Sequence, residues 1–166
     1  MRFRHPQFNP EGALLAASAR GVVGGNDKTF QIWRAAPGEL TLVPTVSTSG
    51  SGASTVSTFD AEFSPDGTLL ATGGSDHIVR LWRTDTGELA ATLVGGSSSI
   101  LFSPDNSHLT TYQGNEVRIW RTDISRLAAI TLDGGTRDVS TIAFSPDSMM
   151  LAAGNLDGTA SLWQRV

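Results

Sequence analysis

At 166 residues, 39% of them hydrophobic and 17% charged, the chain is too apolar to stay disordered and long enough to bury one continuous core. A net charge of -4 and one lysine, Lys28, argue against phosphate-backbone binding, so no nucleic-acid partner is expected. The absence of cysteine excludes disulfides, thiolate nucleophiles and cysteine-held zinc.

Met1-Arg2-Phe3-Arg4-His5-Pro6 lacks the apolar stretch of a secretory signal, and the longest apolar run, 13–17, is far below the roughly 20 residues that span a bilayer. A cytoplasmic protein with no membrane attachment is expected. Next comes Phe8-Asn9-Pro10-Glu11-Gly12, leading through a short apolar strand to one that ends at Trp33, with a further strand over 41–46. The pattern then recurs from Phe63-Ser64-Pro65-Asp66-Gly67 to Trp82, from Phe102-Ser103-Pro104-Asp105-Asn106 to Trp120, and from Phe144-Ser145-Pro146-Asp147-Ser148 to Trp163. Ser-Pro-Asp-Gly suits a type I turn, with proline at the second position and glycine at the fourth. In the second repeat the runs 60–63, 69–72, 78–82 and 89–94 are rich in branched or aromatic residues and read as four strands, a to d. The third repeat's strand d is expected over 126–132, and the fourth repeat carries strands a to c.

The tryptophans lie 49, 38 and 43 residues apart, bracketing the spacing of about 40–45 residues typical of four-stranded propeller blades. Phe-Ser-Pro-Asp-Gly at 63–67 and Val79-Arg80-Leu81-Trp82 resemble the WD-repeat β-propeller family, and the resemblance covers essentially the whole chain. It implies an all-β protein: a partial or open propeller of four-stranded antiparallel blades in one segment, 1–166, with blades near 1–46, 56–94, 97–132 and 138–166. In that family an Asp in the b–c turn, a Ser or Thr on strand b, a His near the blade start and the Trp form a structural hydrogen-bonded tetrad. The resemblance therefore implies structural roles for Trp33, Trp82, Trp120, Trp163, Asp27, Asp76, Asp157 and the strand-b hydroxyl of Thr72, with Ser18 as its counterpart in the first repeat. Three features depart from the family pattern. Gly114 replaces the third Asp, and the opening Gly-His pair is missing, with Val94-Gly95-Gly96 and Asp133-Gly134-Gly135 in its place. Arg34, Arg83, Arg121 and Gln164 follow the tryptophans where the family has Asp. Weaker networks inside the blades are expected.

Nothing in the sequence marks a catalytic centre. His5, His77 and His108 lie in different repeats without metal-ligand spacing, and His77 beside Asp76 reads as a surface turn residue. Asp66, Asp105 and Asp147 recur at identical positions, as a structural turn demands, whereas a catalytic site breaks repeat symmetry. No nucleophile elbow, phosphate loop or dinucleotide fingerprint is present, so neither enzyme chemistry nor a cofactor or metal is expected. Arg34, Arg80, Arg83, Arg118 and Arg121 could form a basic stripe, but pairing with nearby Asp85, Glu88, Glu116 and Asp123 is the plainer reading.

Interruptions of the repeat are more informative. The Phe-to-Trp distance is 25 residues in the first repeat against 19, 18 and 19 in the others, which places an insertion near 20–26 in a b–c loop. A second insertion, 47–57, is rich in Ser, Thr and Gly. In an up-and-down meander the b–c and d–a connections emerge at the same strand ends, so Arg20, Asn26, Ser51, Thr55, His77 and Asn155 mark a candidate partner-binding face. The function expected from the resemblance is a non-catalytic protein–protein interaction scaffold that holds protein or peptide partners. Alternatives are a C-terminal propeller sensor from a larger bacterial-type signalling ATPase or kinase, and a propeller enzyme or small-ligand-binding lectin with an asymmetric polar cleft. A last blade with three strands leaves an edge open to self-association or to further blades of a longer chain. If the tryptophans anchor the blades, Trp82→Ala costs roughly 3–5 kcal/mol in urea unfolding; a variant that unfolds like the parent contradicts the repeat assignment.

Overall fold

A computed structural model describes residues 3–20, 28–43, 58–95, 99–126, 128–134 and 137–164. Among the described residues, alternating side chains and turn-forming Pro, Gly and Asp segments produce fifteen strands in four antiparallel sheets. The first sheet contains β1 (Phe3–Phe8), β2 (Leu14–Arg20), β3 (Lys28–Ala36) and β4 (Glu39–Leu42). The second contains β5 (Thr58–Phe63), β6 (Leu69–Gly74), β7 (Ile78–Arg83) and β8 (Leu89–Val94). The third contains β9 (Ser99–Phe102), β10 (His108–Gln113), β11 (Glu116–Arg121) and β12 (Ala129–Asp133). The last has three strands, β13 (Val139–Phe144), β14 (Met150–Asn155) and β15 (Ala160–Gln164). Each sheet runs in chain order, so the protein is a partial β-propeller of up-and-down blades. Among the described residues no helix is long and apolar enough to cross a membrane.

Three boundaries differ from the sequence expectation for local reasons. Pro37 and Gly38, the latter at φ +82, turn the chain directly after β3, so the first blade's outer strand begins at Glu39, two residues before the expected 41–46, and runs to Leu42; residues 44–46 lie outside those described. In the third blade Ile124–Arg126 is a 3-10 turn. Asp123 Oδ1 accepts the Ser125 N–H and Oγ–H at 3.0 and 2.6 Å, and the outer strand begins only at Ala129. The insertion near 20–26 partly lengthens a hairpin, because β2 and β3 stay in register out to Arg20↔Lys28. Arg20 is thus the last residue of β2, and residues 21–27 lie outside those described.

The a–b turns repeat almost atom for atom. Asp66 Oδ1 accepts from Ser64 Oγ at 2.6 Å and from the Thr68 N–H at 3.1 Å, while Ser64 Oγ accepts the Leu69 N–H at 2.9 Å. Asp105 and Asp147 do the same with Ser103 and Ser145, at 2.7 and 2.5 Å. Although burial works to raise the Asp66 carboxyl, the Ser64 and Thr68 hydrogen bonds hold it below its ordinary range; the Ser145 hydroxyl and the Met149 N–H do the same for Asp147. These aspartates are turn staples. They also join blades, for Asn106 Nδ2 donates to Asp66 Oδ2 at 2.8 Å and the Asp105 N–H donates to Ser148 Oγ at 2.9 Å. Asn106 and Ser148 hold φ near +60 at the turn position where the first two repeats have glycine. Each contributes a polar contact that glycine lacks.

Packing is between blades. Leu69, Ala71, Val79, Leu81 and Leu93 of the second blade meet Ile100, Phe102 and Leu109 of the third. From the second blade's other face Phe63, Leu70 and Trp82 meet Ala16, Ile32 and Val43 of the first. Val117 of the third blade packs with Val139, Ile142, Leu151 and Ala153 of the fourth. Trp82, Trp120 and Trp163 each point to the preceding blade. Backbones approach closely at Gly134, where a β-carbon would lie 2.6 Å from the Asn115 carbonyl oxygen and 2.7 Å from Val139 Cγ2.

Candidate functional site

At one end of the strands the β6–β7 turn of the second blade meets Gly95 at the end of β8, and the β10–β11 turn of the third blade meets Gly134 beyond β12. The β6–β7 turn is held by Asp76, whose Oδ1 accepts the Ile78 N–H at 3.2 Å and whose Oδ2 pairs with Arg80 at 2.6 Å. Partial burial works to raise the Asp76 carboxyl, but the Arg80 bond and charge outweigh it and hold it below the usual range. His77 follows in the left-handed region at φ 59, exposed, with Nδ1 3.0 Å from Nε2 of Gln113 at the end of β10. Arg118 on β11 reaches across the same joint, donating to the Val94 carbonyl at 3.0 Å and pairing with Glu116 at 2.9 Å. Its guanidinium fills the space over Gly95, where a β-carbon would fall 1.2 Å from Nη1. The arginines therefore do not form one stripe. Arg80 and Arg118 are drawn to carboxylates at this end, while Arg34, Arg83 and Arg121 sit exposed toward the other ends of their strands, Arg34 donating to the Asp85 carbonyl at 3.4 Å.

In the fourth blade Asp157 Oδ1 accepts the Thr159 N–H at 3.0 Å and its Oγ–H at 2.6 Å. Asn155 is buried at the end of β14, with Nδ2 on Thr159 Oγ1 at 3.0 Å. Asn26, Ser51, Thr55 and Asp27 lie outside the described residues, as does the stretch 44–57. The geometry thus brings together His77, Gln113, Arg118 and Glu116 across one joint, and Gln113 and Arg118 had no place in the sequence-based face.

Inside the blades, the Trp82 Nε1–H donates to Thr72 Oγ1 at 2.9 Å, as the sequence implies. Trp120 donates to Thr111 Oγ1 at 3.3 Å, a partner found by sliding the Thr72 position by one repeat. The matching residue in the fourth blade is Ala153, so Trp163 has no hydroxyl there. Asp76 is engaged by Arg80, and the tetrad is reduced to a Trp–Thr pair.

The sequence reading missed Asp60 and Glu62 on β5, although among the described inner strands theirs is the only carboxylate pair. Asp60 Oδ2 accepts the Ile100 N–H at 3.0 Å and the Ser99 Oγ–H at 3.3 Å; Glu62 Oε2 accepts the Phe102 N–H at 3.0 Å. Burial, with the Asp60 charge adding and the Phe102 bond opposing, pushes the Glu62 carboxyl up to about 7. Burial together with the Asp60 charge also raises the nearby Tyr112 phenol. Among the described residues no group of three or more His, Cys, Asp or Glu is placed to hold a metal ion.

Residues 42–83 and 128–164 match the family described as "WD domain, G-beta repeat". These two segments are WD repeats. The chain is 40% identical to "Protein tipD" of Dictyostelium discoideum over 104 residues, 61% of this chain and 17% of that protein. It is 32% identical to "Telomerase protein component 1" of Rattus norvegicus over 102 residues, 60% of this chain and 4% of that protein. "Target of rapamycin complex subunit wat1" of Schizosaccharomyces pombe is 31% identical over 99 residues, 57% of this chain and 32% of that protein. The chain therefore spans less than a third of each of these relatives.

With the WD-repeat tetrad shortened, the Trp82–Thr72 bond gains weight, since both groups are buried and the indole N–H would otherwise lose its acceptor. Thr72→Val, nearly isosteric, is expected to cost about 1–3 kcal/mol in urea unfolding, and Thr72→Ser much less; equal losses for the two would refute the hydrogen bond's role.

Proposed function

We propose that this WD-repeat segment is a non-catalytic binding module that holds a protein or peptide partner on the face formed by the b–c turns and d–a connections. The observation that supports it most is the cross-joint pairing of His77 with Gln113 and of Arg118 with Val94, which fixes the turns of two blades relative to each other. A surface fixed before binding loses little entropy when a partner docks, and turns on a rigid scaffold are where recognition concentrates. Mixed donors and acceptors there, His77, Gln113, Arg118 and Glu116, suit a polar peptide backbone better than an apolar ligand. Two relatives are named as a component and a complex subunit, which fits an assembling role.

The test is selection of peptides from a displayed library on the purified chain, followed by calorimetry of the best binder. Gln113→Ala and His77→Asn, the latter tolerant of positive φ, should each weaken binding about tenfold, the scale of one lost polar contact. Pro146→Ala at the opposite face should leave it unchanged. Weakening by Pro146→Ala alone, or by none of the three, would place binding elsewhere.

A further inference from the structure

Inner strands of successive blades belong to different sheets, so no ladder joins β5 to β9. Two β9 amides, Ile100 and Phe102, point away from their own sheet toward the second blade, and buried amides left without acceptors would be costly. Asp60 and Glu62, two residues apart on β5 and hence on one face, supply acceptors at the matching spacing. The repeat does not do this elsewhere. The equivalent positions hold His5 and Gln7 in the first blade, Ser99 and Leu101 in the third, and Thr141 and Ala143 in the fourth. Carboxylates at this joint are therefore a local addition, and one of them is mostly removed from water.

We propose that Asp60 and Glu62 form a proton-dependent latch between the second and third blades: a neutral Glu62 lets the joint close, and a charged Glu62 loosens it by drawing in water. Asp60, from the same strand, is the charged group that bears on Glu62. From β9 the joint receives the two amides and the Ser99 hydroxyl. From β10 the Tyr112 phenol feels the Asp60 charge, although its hydroxyl donates to the Ser140 carbonyl of the fourth blade at 2.9 Å; β6 presents Ala71 opposite Glu62. With Glu62 raised from 4.5 to about 7, the closed joint retains a proton that the opened one releases. Closure is therefore fully favoured below about 4.5 and loses that support as pH rises through about 7. Asp66, Asp76 and Asp147 are shifted downward, so their titration lies below this window.

The experiment is carbon-detected NMR titration of the Glu62 carboxyl, with hydrogen exchange at Ile100 and Phe102 from pH 5 to 8 corrected for intrinsic rates. The expected results are a Glu62 midpoint near 7 and a drop of about tenfold in protection of both amides across the window. Glu62→Gln, which keeps an acceptor without the charge, should show constant protection. A Glu62 midpoint near 4.5, pH-independent protection in the parent, or the same pH dependence in Glu62→Gln would each overturn the latch. The direct titration of the parent keeps the proposal testable even if the variant folds poorly.

Discussion

A blade of this protein has two apolar faces and can bury neither alone. Leu69 and Leu70 are sequence neighbours, and the alternation of a strand sends one into the core shared with the third blade and the other into the core shared with the first. Fully burying each such side chain is worth roughly 1.5–3 kcal/mol, and the gain is realised only where the next blade is in place. Stacking is thus the constraint on which the rest depends. It selects Trp82, Trp120 and Trp163 near the ends of their strands c, where a large flat side chain reaches the preceding blade, and it selects Gly134, where the chain passes too close to Asn115 for a side chain.

Stacking leaves polar groups to be satisfied at the joints, and different levels along the strands satisfy them differently. At the a–b end, Asp66 and Ser148 join neighbouring turns. At the b–c end, His77 meets Gln113 and Arg118 meets the Val94 carbonyl. At the inner strands the Asp60 and Glu62 carboxylates stand in for a missing ladder, and this solution places a largely desolvated carboxyl, Glu62, at the joint. The face read as a binding surface and the latch therefore lie on the same pair of blades, one built from turns and the other from strands.

Much of the fold was legible because Phe, Ser-Pro-Asp-Gly and Trp each have a local physical role that recurs with the blade. The outer strands were read less well. Gly38 and the Asp123 turn shift their starts, and turn chemistry of that kind competes with strand propensity over only a few residues. Thr72 was visible through the family pattern and Thr111 was visible by repeat alignment alone. Asp60 and Glu62 escaped because their role is set by amides about 40 residues away in sequence, which no local pattern encodes. Gln113 was passed over because the third repeat's shorter turn, Gly114 with Asn115, shifts it out of the Asp-based alignment.

If stacking is the central constraint, the blades unfold together and not one by one. Native-state hydrogen exchange in rising urea tests this directly, using the amides of Leu70, Leu81, Leu109 and Val117, which are buried on strands b and c of two adjacent blades. The account predicts that all four converge on one opening free energy and one denaturant slope. Separate energies and slopes for Leu70 and Leu81 on one side and Leu109 and Val117 on the other would show blades that stand alone, and would contradict it.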